Sequence, residues 1–269
     1  MIIDFHTHIF PDKIAKKTIE YLSEKGGIPP FSDGSYSGLL AEMEKADVDI
    51  AVNLPVVTAP KQFESITRFA EEINSRPIEG GRRIISFAGI HPQCEDIEGK
   101  MEAIAKAGFV GIKLHPDYQE TFIDDDGYLR ILECARRLDL IVVTHSGVDG
   151  GYRGCPVRCT PERARRLIEA VGHKKLVLAH MGANERAEEV LETLCGLDVY
   201  FDTAYVLHNM DRETFVKMLD RHGADRILFA SDSPWSGMER DVKIIKSFGL
   251  DKETENKIFY ENAKGLLGI

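Results

Sequence analysis

Phe109-Val110-Gly111-Ile112-Lys113-Leu114-His115 has the pattern of a β-strand buried on both faces, with two polar side chains at its far end. Alternation along a strand puts Lys113 and His115 on one side, while Val110, Ile112 and Leu114 point the other way, toward covering helices. The same kind of run recurs along the chain. Apolar, β-rich segments occupy residues 2–5, 50–54, 84–90, 109–114, 140–144, 176–179, 199–202 and 227–230. Between them, residues 39–46, 62–75, 97–107, 128–138, 161–171, 184–194 and 212–221 carry apolar side chains at helical spacing. Thr160 followed by Pro161 marks one helix start, with the threonine as cap and the proline at the first helical position.

Strands alternating with helices over 269 residues fit an α/β chain closed as a (β/α)8 TIM barrel better than an open sheet. No Pro/Gly/Ser-rich linker interrupts the pattern, so residues 1–269 are expected to form a single domain, with 252–267 as an extra helix capping the outside. The composition, 43% hydrophobic and 29% charged, is that of a soluble globular protein. A net charge of -10 argues against a nucleic-acid partner, which would need a basic face. The strand pattern begins at residue 2 and no apolar run approaches the ~20 residues of a membrane span, so a cytoplasmic protein with no membrane partner is expected. Five cysteines, an odd number, are expected to be reduced thiols.

In Ile2-Ile3-Asp4-Phe5-His6-Thr7-His8 the two histidines lie two apart, so both rings can face one cation. Alone, such a pair is more often a partly buried polar feature than a ligand set. Position strengthens it: His91, Lys113, His115, His145, His180 and Asp232 also fall at or just past the ends of expected strands, the barrel face where active sites are built. By contrast, His173 and His222 fall at helix ends and are expected to be solvated.

The opening Asp4-x-His6-x-His8, with Gly111-Ile112-Lys113-Leu114-His115-Pro116, Thr144-His145-Ser146-Gly147, Leu178-Ala179-His180-Met181-Gly182 and Phe229-Ala230-Ser231-Asp232-Ser233-Pro234-Trp235, resembles the amidohydrolase superfamily. The likeness is strongest to the amidohydrolase-related branch that contains aminocarboxymuconate semialdehyde decarboxylase, and it runs from Asp4 to the Glu261-Asn262-Ala263-Lys264 segment.

The resemblance implies that His6, His8, His145 and Asp232 bind a divalent metal, zinc first, and that His180 contacts the water on the metal or polarises the substrate. Neutral imidazoles and one carboxylate leave such an ion positively charged with an open position, so water there ionises near pH ~7. Asp232 could shuttle the proton. Some relatives carry two ions bridged by a carboxylated lysine, which Lys113 would supply with His145 and His180. One ion is the expectation here, with Lys113 gripping a substrate carboxylate or staying hydrated at the rim. Family resemblance also implies a homodimer.

Other residues carry weaker signals. His115 is either a substrate contact or a turn histidine ahead of Pro116. Arg153 and Arg158, in the loop after the fifth strand, could clamp an acidic substrate, or belong to an ordinary solvated loop. Cys155 and Cys159 lack the second pair a zinc ribbon needs. Trp235 could wall the pocket, though packing on a helix is the commoner fate. Asp4 is expected in the lower barrel as a hydrogen-bond acceptor, Asp202 is ambiguous, and Asp124-Asp125-Asp126 is expected to be a helix cap and nothing more. The chain is thus expected to hydrolyse a small, carboxylate-bearing amide, ester or lactone. Metal-dependent non-oxidative decarboxylation is the alternative within enzymes, and a silent binding barrel the alternative outside them.

Overall fold

Parallel pairing carries the chain from each strand to the next in sequence order. The computed structural model describes residues 1–269. Its strands are β1 (Ile3–Thr7), β2 (Ile50–Asn53), β3 (Arg83–Ser86), β4 (Ala88–Gly89), β5 (Gly111–Leu114), β6 (Ile141–Thr144), β7 (Leu176–Leu178), β8 (Tyr200–Asp202) and β9 (Ile227–Leu228). They run as β1-β2-β3 and β4 through β9, all pairs parallel. β3 and β4 are the halves of one expected strand, and Phe87 between them still donates its N–H to Asn53 O. The ends meet: Phe5 N–H donates to Phe229 O at 2.9 Å and Asp232 N–H to His6 O at 2.9 Å, which closes a TIM barrel.

The helices are α1 (Asp12–Gly26), α2 (Tyr36–Ala46), α3 (Phe63–Asn74), α4 (Ile97–Lys106), α5 (Asp126–Arg137), α6 (Pro161–Val171), α7 (Ala187–Thr193), α8 (Arg212–His222), α9 (Met238–Ser247), α10 (Lys252–Asn256) and α11 (Asn262–Leu267). α6 starts as expected, Thr160 Oγ1 accepting from Arg163 N–H, and ends at Gly172 in the left-handed conformation that glycine tolerates. α9 is additional to the expected helices, and so is α1. Only Ala15 and Ile19 of it are buried, too thin an apolar stripe for periodicity to reveal. No helix is long and apolar enough to cross a membrane.

Two apolar layers form. Ile112, Leu114, Val142, Leu178 and Phe229 pack outward with the helices, whereas Phe5, Val52, Phe87, Val143, Val177 and Leu228 fill the barrel. The closing segment meets the expectation in its first half, where Ile258 and Phe259 join the outer cluster, and departs from it in the second. Ala263, Leu266 and Leu267 of α11 join the inner cluster and do not cap the outer wall. Both helix-end histidines also differ, because each ring folds inward and donates to a carbonyl near a strand: His173 Nε2 to Leu140 O and His222 Nε2 to Val199 O, both at 2.9 Å and both buried. The acidic run does not cap α5 as expected: the N-cap position is Asp125, with no side-chain cap bond, and Asp124 turns elsewhere. Its carboxylate takes Arg163 and Arg166 of α6 and ties the two helices together.

One irregularity in β1 places the site. Its register against β2 runs Asp4↔Ala51 and then Thr7↔Asn53, so β1 carries one extra residue between the two pairings. Strict alternation would put Phe5 and His6 on opposite faces. Instead, Phe5 lies in the inner cluster while His6 Nε2 sits 2.9 Å from Lys113 Nζ, also inside the barrel. The bulge turns His6 and His8 into the mouth, the use to which such insertions are put beside active sites.

Candidate metal centre

His6 and His8 leave β1 with each Nδ1 already engaged. His6 Nδ1 donates to Asp202 Oδ2 at 2.8 Å, and His8 Nδ1 donates to Leu54 O at 2.9 Å. In its neutral form each ring carries its proton there, which leaves the two Nε2 lone pairs facing one another 3.2 Å apart. Asp232 Oδ1 completes a triangle, 3.4 Å from His6 Nε2 and 3.2 Å from His8 Nε2. Three acceptors converge here with only the Lys113 ammonium, 2.9 Å from His6 Nε2, to offset them, and a cation at their centre would satisfy all three. Ligands ~2.1 Å from a tetrahedral ion sit about 3.4 Å apart. The spacing fits a zinc-sized ion.

The electrostatics keep these groups in ligand form. Burial, then the neighbouring Lys113 charge, holds the His6 ring well below the usual histidine range, hence neutral. The Asp232 carboxyl lies below its ordinary value in spite of burial, hence ionised. Backbone strain is concentrated here as well. His180 and Asp232 take φ of 63° and 71°, left-handed conformations that cost about 1 to 3 kcal/mol each and persist where the surroundings enforce them.

Lys113 is not hydrated at the rim. It is fully buried, its Nζ donates to His6 Nε2, and burial pushes its ammonium down to about 8 against the pull of Asp202 and Asp232. His145 lies outside the His6, His8 and Asp232 triangle and groups instead with His115 and Asp149. Its Nδ1 faces His180 Nε2 at 2.9 Å, and its ring stacks on His115 at 4.2 Å. His180 Nδ1 donates to Ala204 O at 2.9 Å, so in its neutral form the ring offers only a lone pair at Nε2. Gly147, two residues past His145, has to be glycine: at φ 85° a Cβ would lie 2.1 Å from Asn184 N.

A family model described as amidohydrolase matches residues 3–269. The chain belongs to the amidohydrolase family. No curated protein matches this amidohydrolase in sequence. Solved structures resemble it over their whole length. A 2,6-dihydroxybenzoate decarboxylase from Rhizobium has a TM-score of 0.69 at 20% identity, over 99% of this chain and 98% of that one. A dihydroxybenzoic acid decarboxylase from Polaromonas, with bound manganese and the inhibitor 2-nitroresorcinol, gives 0.68 at 16% identity, over 99% and 96%. A protein of Acinetobacter baumannii assigned as 2-pyrone-4,6-dicarboxylic acid hydrolase, with citric acid bound, gives 0.65 at 14% identity, over 100% and 99%. At these identities the likeness establishes the barrel.

The mouth of the amidohydrolase barrel is less cationic than its sequence implies. Arg153 is exposed and paired bidentately with Glu185, while Arg158 reaches Asp117 Oδ1 at 3.4 Å. His115 Nε2 sits 3.5 Å from Asp149 Oδ2, and His91 only accepts from Gln93 N–H. Beside them, Asp117, Asp149, Tyr152 and Arg153 line a cavity of about 190 Å³ under the loop that contains Cys155. All five cysteines are unpaired. Asp4 Oδ1 accepts from His6 N–H and Ser231 N–H, which pins the bulge to the last strand's exit.

Sequence reading passed over Asp117, Asp149 and Gln119. Gln119 ties three strand-end loops: its side chain accepts from His115 N–H and Tyr128 Oη and donates to Val57 O and Ile90 O. Only its place just past a strand end could have flagged it.

Proposed function

We propose that this amidohydrolase is a metal-dependent hydrolase of a small carboxylate-bearing molecule, opening an amide, ester or lactone bond. One observation carries the reading: the Nε2 atoms of His6 and His8 face each other at 3.2 Å with Asp232 Oδ1 against both, an arrangement of acceptors that a divalent cation satisfies. His6, His8 and Asp232 would hold it, and zinc suits two imidazoles and a carboxylate at this spacing. Such an ion supplies Lewis acidity, polarising a carbonyl and acidifying water toward pKa ~7.

The chain's own groups divide the remaining work. Asp232, kept ionised, accepts the proton of the attacking water and returns it to the leaving group. His180 has its Nδ1 proton committed to Ala204 O, so its Nε2 orients that water by accepting a hydrogen bond and does not donate to a carbonyl. Arg158 has a single long contact to Asp117 and spare N–H donors for a substrate carboxylate, whereas Arg153 is occupied by Glu185.

A second ion is the alternative that one observation favours. His145 Nδ1 and His180 Nε2 face at 2.9 Å, and Lys113, buried beside His6, could bridge the two seats once carboxylated. The same residues would also serve a non-oxidative decarboxylation.

Metal analysis of the purified protein, with activity measured before and after chelation and readdition, tests the metal. Full activity in metal-free protein would sink it. A panel of carboxylated lactones, esters and amides, followed by acid release alongside carbon dioxide, tests the reaction. Acid release without gas is expected, and gas without hydrolysis would transfer the assignment to decarboxylation.

A further inference from the structure

His145 Nε2 and Asp117 Oδ2 are both buried, lie 3.7 Å apart, and have no hydrogen-bond partner. A buried imidazole nitrogen and a buried carboxylate oxygen left unpaired are costly, and each is the other's natural partner. The opposite edge of the same ring frames the question. If His145 carries its proton on Nδ1, it donates to His180 Nε2 at 2.9 Å and turns a bare Nε2 lone pair toward the carboxylate. If the proton is on Nε2, it points at Asp117, and Nδ1 and His180 Nε2 face each other as two acceptors.

We propose that Asp117 is a positioning residue that selects the Nε2–H form of His145 and so keeps Nδ1 open, with His180 Nε2, to receive a cation. Arg158 assists by holding the other carboxylate oxygen, and the stacked His115 ring limits rotation of His145. The 3.7 Å gap is of the kind that tightens when a site is filled. A carboxylate behind a metal-facing imidazole typically contributes ten- to a hundredfold in metal affinity. For its purpose the inference rests on the second-ion form of the metal reading, in which His180 Nε2 takes the cation in place of water, but the tautomer itself is observable without metal.

The test uses the full-length protein with ¹⁵N-labelled histidine and long-range ¹H–¹⁵N correlation, which separates the two neutral tautomers, recorded metal-free at pH 8 on wild type, Asp117→Asn and Asp117→Ala. Asparagine can offer N–H where aspartate offers oxygen, and alanine offers nothing, so both variants should move His145 toward the Nδ1–H form relative to wild type. Zinc titration against a chromogenic chelator should show affinity reduced roughly ten- to a hundredfold in both. If one variant does not fold, the other decides. The same tautomer in wild type and variant overturns the proposal whatever the affinities do. A tautomer shift in a protein that binds no zinc would leave Asp117's role standing and fail the metal reading instead.

Discussion

His6 Nδ1 donates to Asp202 Oδ2 across 2.8 Å, and neither side chain reaches solvent. The other oxygen of Asp202 accepts from His180 N–H at 2.8 Å and Ala204 N–H at 3.1 Å, so one carboxylate sets the orientation of two site residues. Asp202→Asn keeps the shape, but with its carbonyl on the two backbone donors it turns an N–H₂ group toward His6 Nδ1. Donor then meets donor, the ring moves its proton to Nε2, and the nitrogen facing Asp232 is blocked. Metal affinity should fall about ten- to a hundredfold, as read by chelator competition. Unaltered affinity would show that Asp202 does not govern the His6 tautomer.

Gln119 is the knot beneath the mouth, with four buried partners on one amide. Gln119→Leu preserves much of the volume and leaves all of them unpaired. We expect roughly 3 to 5 kcal/mol of destabilisation in denaturant unfolding. Tyr128→Phe removes a single donor from the same amide and should cost about 1 kcal/mol. Equal, small losses in both variants would mean that water replaces Gln119 at little cost.

The barrel was legible because its cause is local: apolar runs ending in polar residues and alternating with amphipathic segments can be read residue by residue. The ends of those runs also pointed to His6, His8, Lys113, His145, His180 and Asp232. What escaped depends on register and tertiary closure. The extra residue in β1 inverts the parity that would set Phe5 against His6, and nothing in Asp4-Phe5-His6-Thr7 signals it. Arg153 and Arg158 were visible as charges, but their partners Glu185 and Asp117 lie 32 and 41 positions away along the chain. His222 at the end of α8 resembles a solvated cap until α8 is docked on β8.

Docked there, His222 has both ring nitrogens satisfied in one neutral form: Nε2 donates to Val199 O, Nδ1 accepts from Gly196 N–H, and the ring stacks on Phe201 at 3.9 Å. Burial pushes the ring down to about 4, from 6.5 for an ordinary histidine. The unfolded chain therefore binds a proton at this residue below about pH 6.5 that the folded chain refuses until about pH 4. Its contribution is complete above that range and is lost as pH falls through it, up to about 3 kcal/mol. His222→Gln cannot titrate. The drop in unfolding free energy from pH 7.5 to 4.5 should be smaller in that variant by roughly 2 to 3 kcal/mol, and parallel pH profiles would assign the acid sensitivity elsewhere.

Lys113 decides between one ion and two. Its ammonium stands 2.9 Å from His6 Nε2, the lone pair that a cation on His6, His8 and Asp232 would need. If the site takes one ion, Lys113 is an internal competitor, and its charge repels the ion that displaces it. Lys113→Met should then bind a single equivalent of zinc more tightly, by roughly tenfold or more on Coulombic grounds for charges a few ångströms apart. If Lys113 is instead a carboxylated bridge, the same substitution removes the link between the His6 and His145 sides, and bound metal should fall from two equivalents to one. Metal stoichiometry and chelator competition on wild type and variant separate these outcomes, because affinity rises at constant stoichiometry in the first and stoichiometry falls in the second. A variant unchanged in both would mean that the buried ammonium only neutralises Asp202 and Asp232, whose charges it faces across the barrel.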